Sequence, residues 1–303
     1  MRSKLISAAI GIAALMLSSI GPGSGPASAV TDSCPSLYVV AIPGTWETTD
    51  NPEGERPGPG MLAAVTDGLP DSARVDYVSY AATAFPWESE VYGASKREAV
   101  ASARGMIAAM AGQCDATRIA LVGYSQGADA AGDLAAEIGT GLGVVPPHRI
   151  AAVGLISDPR RSPTDTLVGP PVPGAGAGGP RIGGFGFVTP QTRTMCAIGD
   201  LYCSTASDDF VTRFAGFLAQ TSHPDPAYLW RYQLEMGAII SDLMSRGGIT
   251  LLQSQLSDPA NQERARLLDE FYRSEAHTRY GSYPVGGGKT ALAWMRDWLR
   301  SLA

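Results

Sequence analysis

A serine flanked by glycines is the clearest group in this sequence that could carry out chemistry. Residues 123–127 have the sequence Gly-Tyr-Ser-Gln-Gly, which fits the G-x-S-x-G pattern of a serine exposed on a sharp strand-to-helix turn. An apolar strand is predicted before this turn at residues 119–122, and an alanine-rich helix after it at residues 128–138. In that context Ser125 is predicted to be the nucleophile of an acyl-transfer reaction.

A serine nucleophile needs a carboxylate that orients its general base, and two aspartates are candidates. Asp200 lies in a short segment bounded by Cys196 and Cys203, where a disulfide would hold the carboxylate rigidly. Asp158 follows another predicted strand, but its neighbour Pro159 makes it more simply a turn residue. Asp200 is therefore the preferred acid.

The base must be a histidine, and the chain has three. The expected chain order Ser, Asp, His excludes His148, which precedes Asp200. His223 and His277 both satisfy that order. His277 is preferred because it stands in the loop before the final predicted helix, where this kind of fold delivers its base.

The elements that must position these residues alternate between strands and helices. Ser95 and Glu98 form a capping-box pattern, which predicts a helix that begins there and ends near Gly112. Residues 159–190 are rich in proline and glycine without periodicity, so they are predicted to form a long loop. Further helices are predicted from Tyr228 onward, from Pro259 and over residues 292–302. Apolar runs predict strands at residues 37–42, 74–80, 119–122 and 150–156.

Strands that alternate with helices predict an α/β fold with a parallel sheet. The length of 303 residues permits two domains, but no charged linker divides the chain. One domain with insertions is therefore expected.

The first 29 residues have the pattern of a secretory leader. Arg2 and Lys4 precede an apolar run, and small residues at 27–29 suit cleavage after Ala29. A retained membrane anchor is the alternative, but the apolar run is short and is followed by Gly and Pro. The mature chain, residues 30–303, is therefore expected to be secreted or associated with the cell envelope.

Charge and cysteine content narrow the function further. The formal charge is -6, and loss of the two leader cations makes it -8, which argues against a nucleic-acid surface. In an oxidising compartment the four cysteines allow three pairings; Cys196 and Cys203 can close a small loop, in which case Cys34 pairs with Cys114. Neither a CxxC nor an HxxxH motif is present, so no zinc site is expected.

These residues together resemble the cutinase-like serine esterases over most of the mature chain. The resemblance rests on a cysteine eleven residues before the nucleophile, the Gly-Tyr-Ser-Gln-Gly turn, a CxxxDxxC segment at residues 196–203 and an early cysteine at position 34. Residues 43–47 and 183–186 look most like the envelope-associated members of mycolic-acid-containing actinobacteria. The resemblance implies an α/β-hydrolase fold, a three-layer sandwich around a mostly parallel sheet.

The resemblance also carries a functional expectation. It implies hydrolysis of lipid-type carboxylic esters by Ser125, Asp200 and His277 through an acyl-enzyme, with neither metal nor organic cofactor. An oxyanion hole is implied at Thr45, through its backbone N–H and hydroxyl, and at the backbone N–H of Gln126. Alternatives are a lipase, phospholipase, thioesterase or mycolyl-ester hydrolase, or a catalytically silent wall-associated binding protein; a monomer is expected.

The chain departs from compact cutinases in the long segment between Cys203 and His277. Residues of about 205–275, called the helical insertion below, are expected to be largely helical and to form a cap over the acyl site or a peripheral packing element. The insertion contains His223, so its length leaves the choice of base open between His223 and His277.

Overall fold

The centre of the fold is a five-stranded parallel sheet, in a computed structural model that describes residues 34–50 and 58–303. The leader predicted at residues 1–29 lies outside the described residues. The strand order is β2-β1-β3-β4-β5, and every neighbouring pair is parallel. The strands are β1 (Leu37–Ile42), β2 (Ala73–Tyr77), β3 (Arg118–Tyr124), β4 (Ile150–Ile156) and β5 (Thr192–Met195).

The strands with uninterrupted apolar sequence occupy the middle of this sheet. All six residues of β1 are buried, and β3 is buried throughout after Arg118. Parallel strands covered on both faces require such continuous apolar runs. Ile42 at the end of β1 pairs in register with Gly123 near the end of β3, so the loops that follow the two strands lie side by side.

Helices cover both faces of the sheet and make the three-layer sandwich. Alanines and branched aliphatic residues of α2 and α3 form one buried cluster with the strands, and α1 and α8 form the other. A short hairpin, β6 (Pro284–Gly286) and β7 (Lys289–Thr290), leads into α8. The helices of these layers are α1 (Ala63–Thr66), α2 (Tyr92–Gln113), α3 (Gln126–Gly139) and α8 (Ala291–Arg300).

The helical insertion contains four helices with a small apolar core of their own. Phe210, Phe217, Ile239 and Leu243 are buried together in that core. None of the helices in the described part of the chain is long and apolar enough to cross a membrane. The helices of the insertion are α4 (Phe210–Gln220), α5 (Leu229–Arg246), α6 (Gly248–Gln255) and α7 (Asp258–Ser274).

The start of α2 differs from the sequence prediction. The helix begins at Tyr92, one turn before Ser95, and the two capping-box residues lie within it. Ser95 Oγ accepts a hydrogen bond from Thr83 N, and Glu98 Oε2 accepts one from Ala81 N. Both side chains therefore anchor the loop after β2 instead of capping the helix.

The proline- and glycine-rich segment at residues 159–190 is held to the rest of the fold by hydrogen bonds. Arg161 is almost fully buried and donates to the carbonyl oxygens of Pro173, Gly174 and Cys203. The segment ends in a 3-10 helix at Gly186–Gln191 that leads directly into β5. A network of backbone acceptors around one arginine thus replaces regular secondary structure.

Both disulfides expected from the sequence are present. Cys34–Cys114 links a position three residues before β1 to the residue that follows α2, and Cys196–Cys203 closes the loop after β5. The first bridge lies where the parallel strands begin, and the second lies where they end.

Candidate active site

Four loops that follow neighbouring strands meet at the carboxyl edge of the sheet. Thr45 follows β1, Ser125 follows β3, Ser157 follows β4 and Asp200 lies a few residues beyond β5. In the strand order, β2 lies on one side of β1, whereas β3 and the later strands lie on the other. Such a switch point opens a crevice at the carboxyl ends of the strands. The topology therefore places polar side chains from distant parts of the sequence in one crevice.

Ser125 occupies the turn between β3 and α3 in a strained conformation. Its φ is 54° and its ψ is -122°, a combination that residues with a Cβ rarely adopt. A Cβ on Gly123 would lie 2.2 Å from the carbonyl oxygen of Gly127, and one on Gly127 would lie 2.0 Å from that of Ile42. Both positions require glycine because a Cβ would clash with the neighbouring backbone.

His277 lies between α7 and the hairpin, with its ring between Ser125 and Asp200. Its Nε2 is 3.0 Å from Ser125 Oγ, and its Nδ1 is 3.1 Å from Asp200 Oδ2. The ring is 4.6 Å from that of Tyr202 and 5.2 Å from that of Tyr124, whose hydroxyl donates to the His277 carbonyl oxygen. These contacts on ring and backbone orient the imidazole.

Asp200 is fully buried and accepts hydrogen bonds at both carboxylate oxygens. Oδ1 accepts from the backbone N–H of Tyr202, and Oδ2 accepts from the hydroxyls of Tyr280 at 2.7 Å and Ser157 at 2.6 Å. Burial alone would raise the pKa of Asp200, but the hydrogen bond and charge of His277, with the Ser157 and Tyr280 hydroxyls, hold it below its usual value. The carboxylate therefore stays ionised although it is buried.

The position of Asp200 depends on the disulfide loop around it. Tyr280 also accepts a hydrogen bond from the backbone N–H of Ala197, inside the loop closed by Cys196–Cys203. One tyrosine hydroxyl thus ties the loop backbone to the carboxylate. Burial and the charge of Asp200 raise the pKa of Tyr280 well above its usual value, so this hydroxyl remains a donor.

Ser157 is a polar neighbour of these residues that the sequence analysis missed. Its Oγ lies 2.6 Å from Asp200 Oδ2 and 3.0 Å from His277 Nδ1, and the residue is fully buried. Its φ of 55° is strained, and its backbone N–H donates to Met195 O at the end of β5. The sequence signal was only its place directly after a predicted strand.

Thr45 and Gln126, expected to form the oxyanion hole, contact each other through their side chains, and Gln126 directly follows Ser125. Their backbone N–H groups have no acceptor within residues 34–50 and 58–303. Thr45 Oγ1 donates to Gln126 Oε1 at 3.4 Å, and the Gln126 side chain also donates to the carbonyl oxygen of Thr83. Two N–H groups without acceptors, held by side-chain contacts, are suited to bind a developing oxyanion.

Glu47 holds the Thr45 loop from behind and was also missed from the sequence. Its carboxylate accepts from the backbone N–H of Gly44 and of Met61, both at 2.8 Å. Burial raises the pKa of Glu47 above its usual value, against the effect of these two donors. The side chain links the loop after β1 to the start of the segment that forms α1.

The rival acid and base occupy other places. Asp158 is buried in an ion pair with Arg181, at 2.6 Å, and also accepts from Arg160 N. His223 lies after α4, where its backbone packs against Gly93 of α2, and its side chain lines a separate cavity of about 1120 Å³. His148 lies in a 3-10 turn before β4. Of the three histidines, the structure brings only His277 to Ser125 and Asp200.

Exposed aromatic side chains flank the crevice on two sides. Trp46 follows Thr45 and extends a stack through Phe85 to Trp87, with ring centroids 6.1 and 4.7 Å apart. On the His277 side, the Tyr202 and Tyr272 hydroxyls are 3.3 Å apart. The described part of the chain contains no group of three His, Cys, Asp or Glu side chains arranged as metal ligands.

Comparison with known proteins gives a family match over most of the chain. The family model described as Cutinase matches residues 33–228, which include Ser125 and Asp200 but end before His277. The carboxylesterase Culp6 homolog of Corynebacterium glutamicum is 33% identical over 206 residues, covering 57% of this chain and 66% of that protein. This chain therefore spans just under two thirds of that relative's length.

Similar solved structures share less of the sequence. The catalytic core domain of acetyl xylan esterase from Trichoderma reesei is 20% identical, with a TM-score of 0.46, and the match covers 68% of this chain and 98% of that one. Lysin B from Mycobacteriophage D29 is 19% identical, with a TM-score of 0.47, over 89% of this chain and 98% of that one.

Proposed function

Because this chain belongs to the cutinase family, we propose that it is a serine esterase that hydrolyses carboxylic esters through an acyl-enzyme at Ser125. The observation that carries the proposal is the line of contacts from Ser125 Oγ through His277 to Asp200, at 3.0 and 3.1 Å. Such a line supplies a nucleophile, a base and an orienting carboxylate, which together define acyl transfer by serine.

In the first half of the reaction, Ser125 Oγ attacks the ester carbonyl carbon while its proton passes to His277 Nε2. The negative charge that develops on the carbonyl oxygen is stabilised by the N–H groups of Thr45 and Gln126. Collapse of the tetrahedral intermediate breaks the bond to the alcohol oxygen, which takes the proton from Nε2. The alcohol leaves and the acyl group remains on Ser125.

In the second half, water replaces the alcohol. His277 Nε2 accepts a proton from the water, whose oxygen attacks the acyl carbon, and the proton then returns to Ser125 Oγ as the carboxylic acid is released. Asp200 stays ionised in both halves and stabilises the imidazolium form of His277.

We further propose that the substrate is a lipid-type ester. The aromatic side chains on both sides of the crevice, Trp46 and Trp87 on one and Tyr272 on the other, are more than half exposed. Exposed aromatic rings at the mouth of a site are suited to contact apolar chains at a water interface. Lipase, phospholipase, thioesterase and mycolyl-ester activities share this chemistry and differ in the group that the crevice accepts.

We also propose that the protein is secreted or associated with the cell envelope, and that it acts as a monomer. The leader pattern at residues 1–29 supports export, and the two disulfides suit an oxidising compartment. A silent binding protein on this scaffold is disfavoured because the strained serine, the base and the acid are all retained in contact.

The test is a pair of serine variants of the mature chain, residues 30–303. Ser125→Ala is expected to lower kcat on p-nitrophenyl esters by about 10⁴- to 10⁶-fold, because the nucleophile is lost. Ser245→Ala, which removes an exposed serine hydroxyl on α5, is the control and should match the wild type. A fluorophosphonate should label Ser125 alone; kcat of Ser125→Ala close to that of the wild type, or labelling elsewhere, would overturn the proposal.

A further inference from the structure

Three groups converge on one carboxylate oxygen in the crevice. Asp200 Oδ2 is contacted by Ser157 Oγ at 2.6 Å, by Tyr280 at 2.7 Å and by His277 Nδ1 at 3.1 Å. Ser157 Oγ is in turn 3.0 Å from His277 Nδ1. Ser157, Asp200 and His277 therefore form a closed triangle of polar contacts, in which Ser157 and Asp200 are fully buried.

The protons in this triangle can be assigned from the chemistry of its members. An ionised carboxylate only accepts hydrogen bonds, so the Ser157 hydroxyl proton points to Asp200 at the short 2.6 Å distance. The remaining lone pairs of Ser157 Oγ then face His277 Nδ1. That nitrogen is surrounded by oxygens that accept, and it must be the one that carries the proton of the neutral ring.

The same assignment fixes the other ring nitrogen. A neutral imidazole carries one N–H, so a proton on Nδ1 leaves Nε2 as an acceptor toward Ser125 Oγ at 3.0 Å. Without Ser157, the Nδ1–H group would face Asp200 alone, whose two oxygens lie at 3.1 and 3.3 Å. The hydroxyl thus contributes the shortest of the three contacts made by Nδ1.

The backbone of Ser157 gives independent support. A residue with a Cβ at a φ of 55° is strained, and such strain persists where the surrounding structure fixes it and often marks a functional position. Here the hydrogen bond from its backbone N–H to Met195 O fixes the residue at the junction of β4 and β5. The strained backbone directs Oγ into the crevice.

We propose that Ser157 is a positioning residue, whose hydroxyl bridges Asp200 and His277 and keeps the histidine proton on Nδ1. This inference rests on the proposed esterase function and adds a fourth side chain to it. Ser157 is fully buried and therefore inaccessible to substrate, so its removal should lower kcat and leave KM unchanged.

Two variants test the role of the hydroxyl. Ser157→Ala removes Oγ and keeps the Cβ and its backbone strain, whereas Ser157→Gly removes Oγ and relieves the strain. Both are expected to lower kcat by about tenfold to hundredfold, the range that corresponds to one hydrogen bond to a charged group. The loss should be greatest at low pH, because Asp200 loses a donor that holds its pKa below the usual range.

The matched control is Thr192→Val, which removes another buried hydroxyl, at the start of β5. Thr192 Oγ1 donates only to the carbonyl oxygen of Val188, outside the triangle. It should retain wild-type kcat and pH profile. Wild-type kcat and pH profile in folded Ser157→Ala and Ser157→Gly proteins would overturn the proposal.

A spectroscopic measurement on the wild type tests the same geometry without depending on turnover or on variant folding. In protein labelled with ¹⁵N histidine, the single proton of the neutral His277 ring should be found on Nδ1. A proton on Nε2 would overturn the role of Ser157. Failure of the esterase function has a different signature, which is an inactive wild type that fluorophosphonate does not label at Ser125.

Discussion

The sheet with α2 and α3 differs from the helical insertion in what its helices bury. In the sheet region, the inward faces of the helices join clusters of fully buried aliphatic side chains. In the insertion, four residues form the buried core and many large apolar side chains remain exposed. These exposed residues are Leu218, Tyr228, Leu229, Trp230, Leu234, Ile240, Met244, Ile249, Leu256, Leu267, Leu268 and Tyr272.

The two regions are joined by polar contacts. Glu235 of α5 forms a buried ion pair with Arg160, and Gln220 of α4 accepts from Lys96 of α2. Lys96 also pairs with Asp133 of α3 at 2.8 Å. An interface fixed by buried charges specifies one arrangement but gains little net stability, because desolvation offsets the attraction between the charges.

The proposed active site draws on both regions. Ser125 and Asp200 belong to loops of the sheet, whereas His277 comes after α7 and its ring approaches Phe271 of that helix, with centroids 6.3 Å apart. The family match ends at residue 228 and so covers the five strands with α1, α2 and α3 and only the beginning of the insertion, but not α8.

The largest effect on kcat is expected when His277, which follows the insertion, is replaced. His223, which lies within the insertion, is the comparison. His277→Ala should lower kcat by about 10⁴- to 10⁶-fold because the base is lost, while His223→Ala should stay within about tenfold of the wild type. Steady-state kinetics on a soluble ester measures both. The reverse ranking would assign the base to His223 and contradict the observed contacts.

The next effect is on stability and concerns the two disulfides. Replacing Cys34 and Cys114 by alanine should lower the free energy of unfolding by about 4 kcal/mol, since the bridge closes a long loop, with little change in kcat. Replacing Cys196 and Cys203 should cost about 2.5 kcal/mol and also lower kcat, because Asp200 lies in that loop. Denaturant unfolding and kinetics on both double variants test this, and an equal loss of activity in both would contradict it.

A loss of stability between those of the two disulfides is expected at the contact between the two regions. Glu235→Ala leaves Arg160 buried without its nearest carboxylate, which should cost about 3 kcal/mol. The control is Asp269→Ala, which breaks a solvent-exposed pair with Arg273 on α7 and should leave stability unchanged. Equal effects in thermal unfolding would show that the buried pair does not hold the insertion in place.

The smallest effect tests whether the insertion contributes to substrate binding as a cap. Tyr272→Ala should lower activity on long-chain esters several-fold, on the order of 1 kcal/mol, and leave short-chain esters unaffected. Tyr228→Ala, an aromatic truncation at the separate cavity, is the control. Identical chain-length profiles for Tyr272→Ala and the wild type would favour a peripheral packing role for the insertion.

The sheet could be predicted from the sequence where strands are continuous apolar runs. The bounds of β1 and β4 were predicted without error, because a strand buried on both faces leaves such a run. β5 was missed since Thr-Arg-Thr-Met has no apolar run and follows a proline- and glycine-rich segment. The start of α2 was wrong because a capping-box pattern does not reveal that Ser95 and Glu98 bond to a distant loop.

The sequence predicted those residues of the candidate site that lie in a recognisable motif or follow the expected order along the chain. Ser125 lies in a glycine-flanked turn and Asp200 between two cysteines, and the structure brings both to His277. Ser157 and Glu47 have no such pattern. Each of them contacts a group from another part of the chain, which the local sequence does not reveal. Only the pairing of neighbouring strands in the folded sheet brings Ser157 to the site.

The placement of the Cys34–Cys114 bridge has a practical consequence for surface attachment. The bridge and the exposed Asp115 beside it lie where the strands begin, while Ser125 lies at the other end of β3. At about 3.3 Å per residue, that strand separates the two edges by roughly 23 Å. A protein immobilised on a bead through Asp115 would keep its crevice pointed toward the bulk solution, open to bulky or particulate esters.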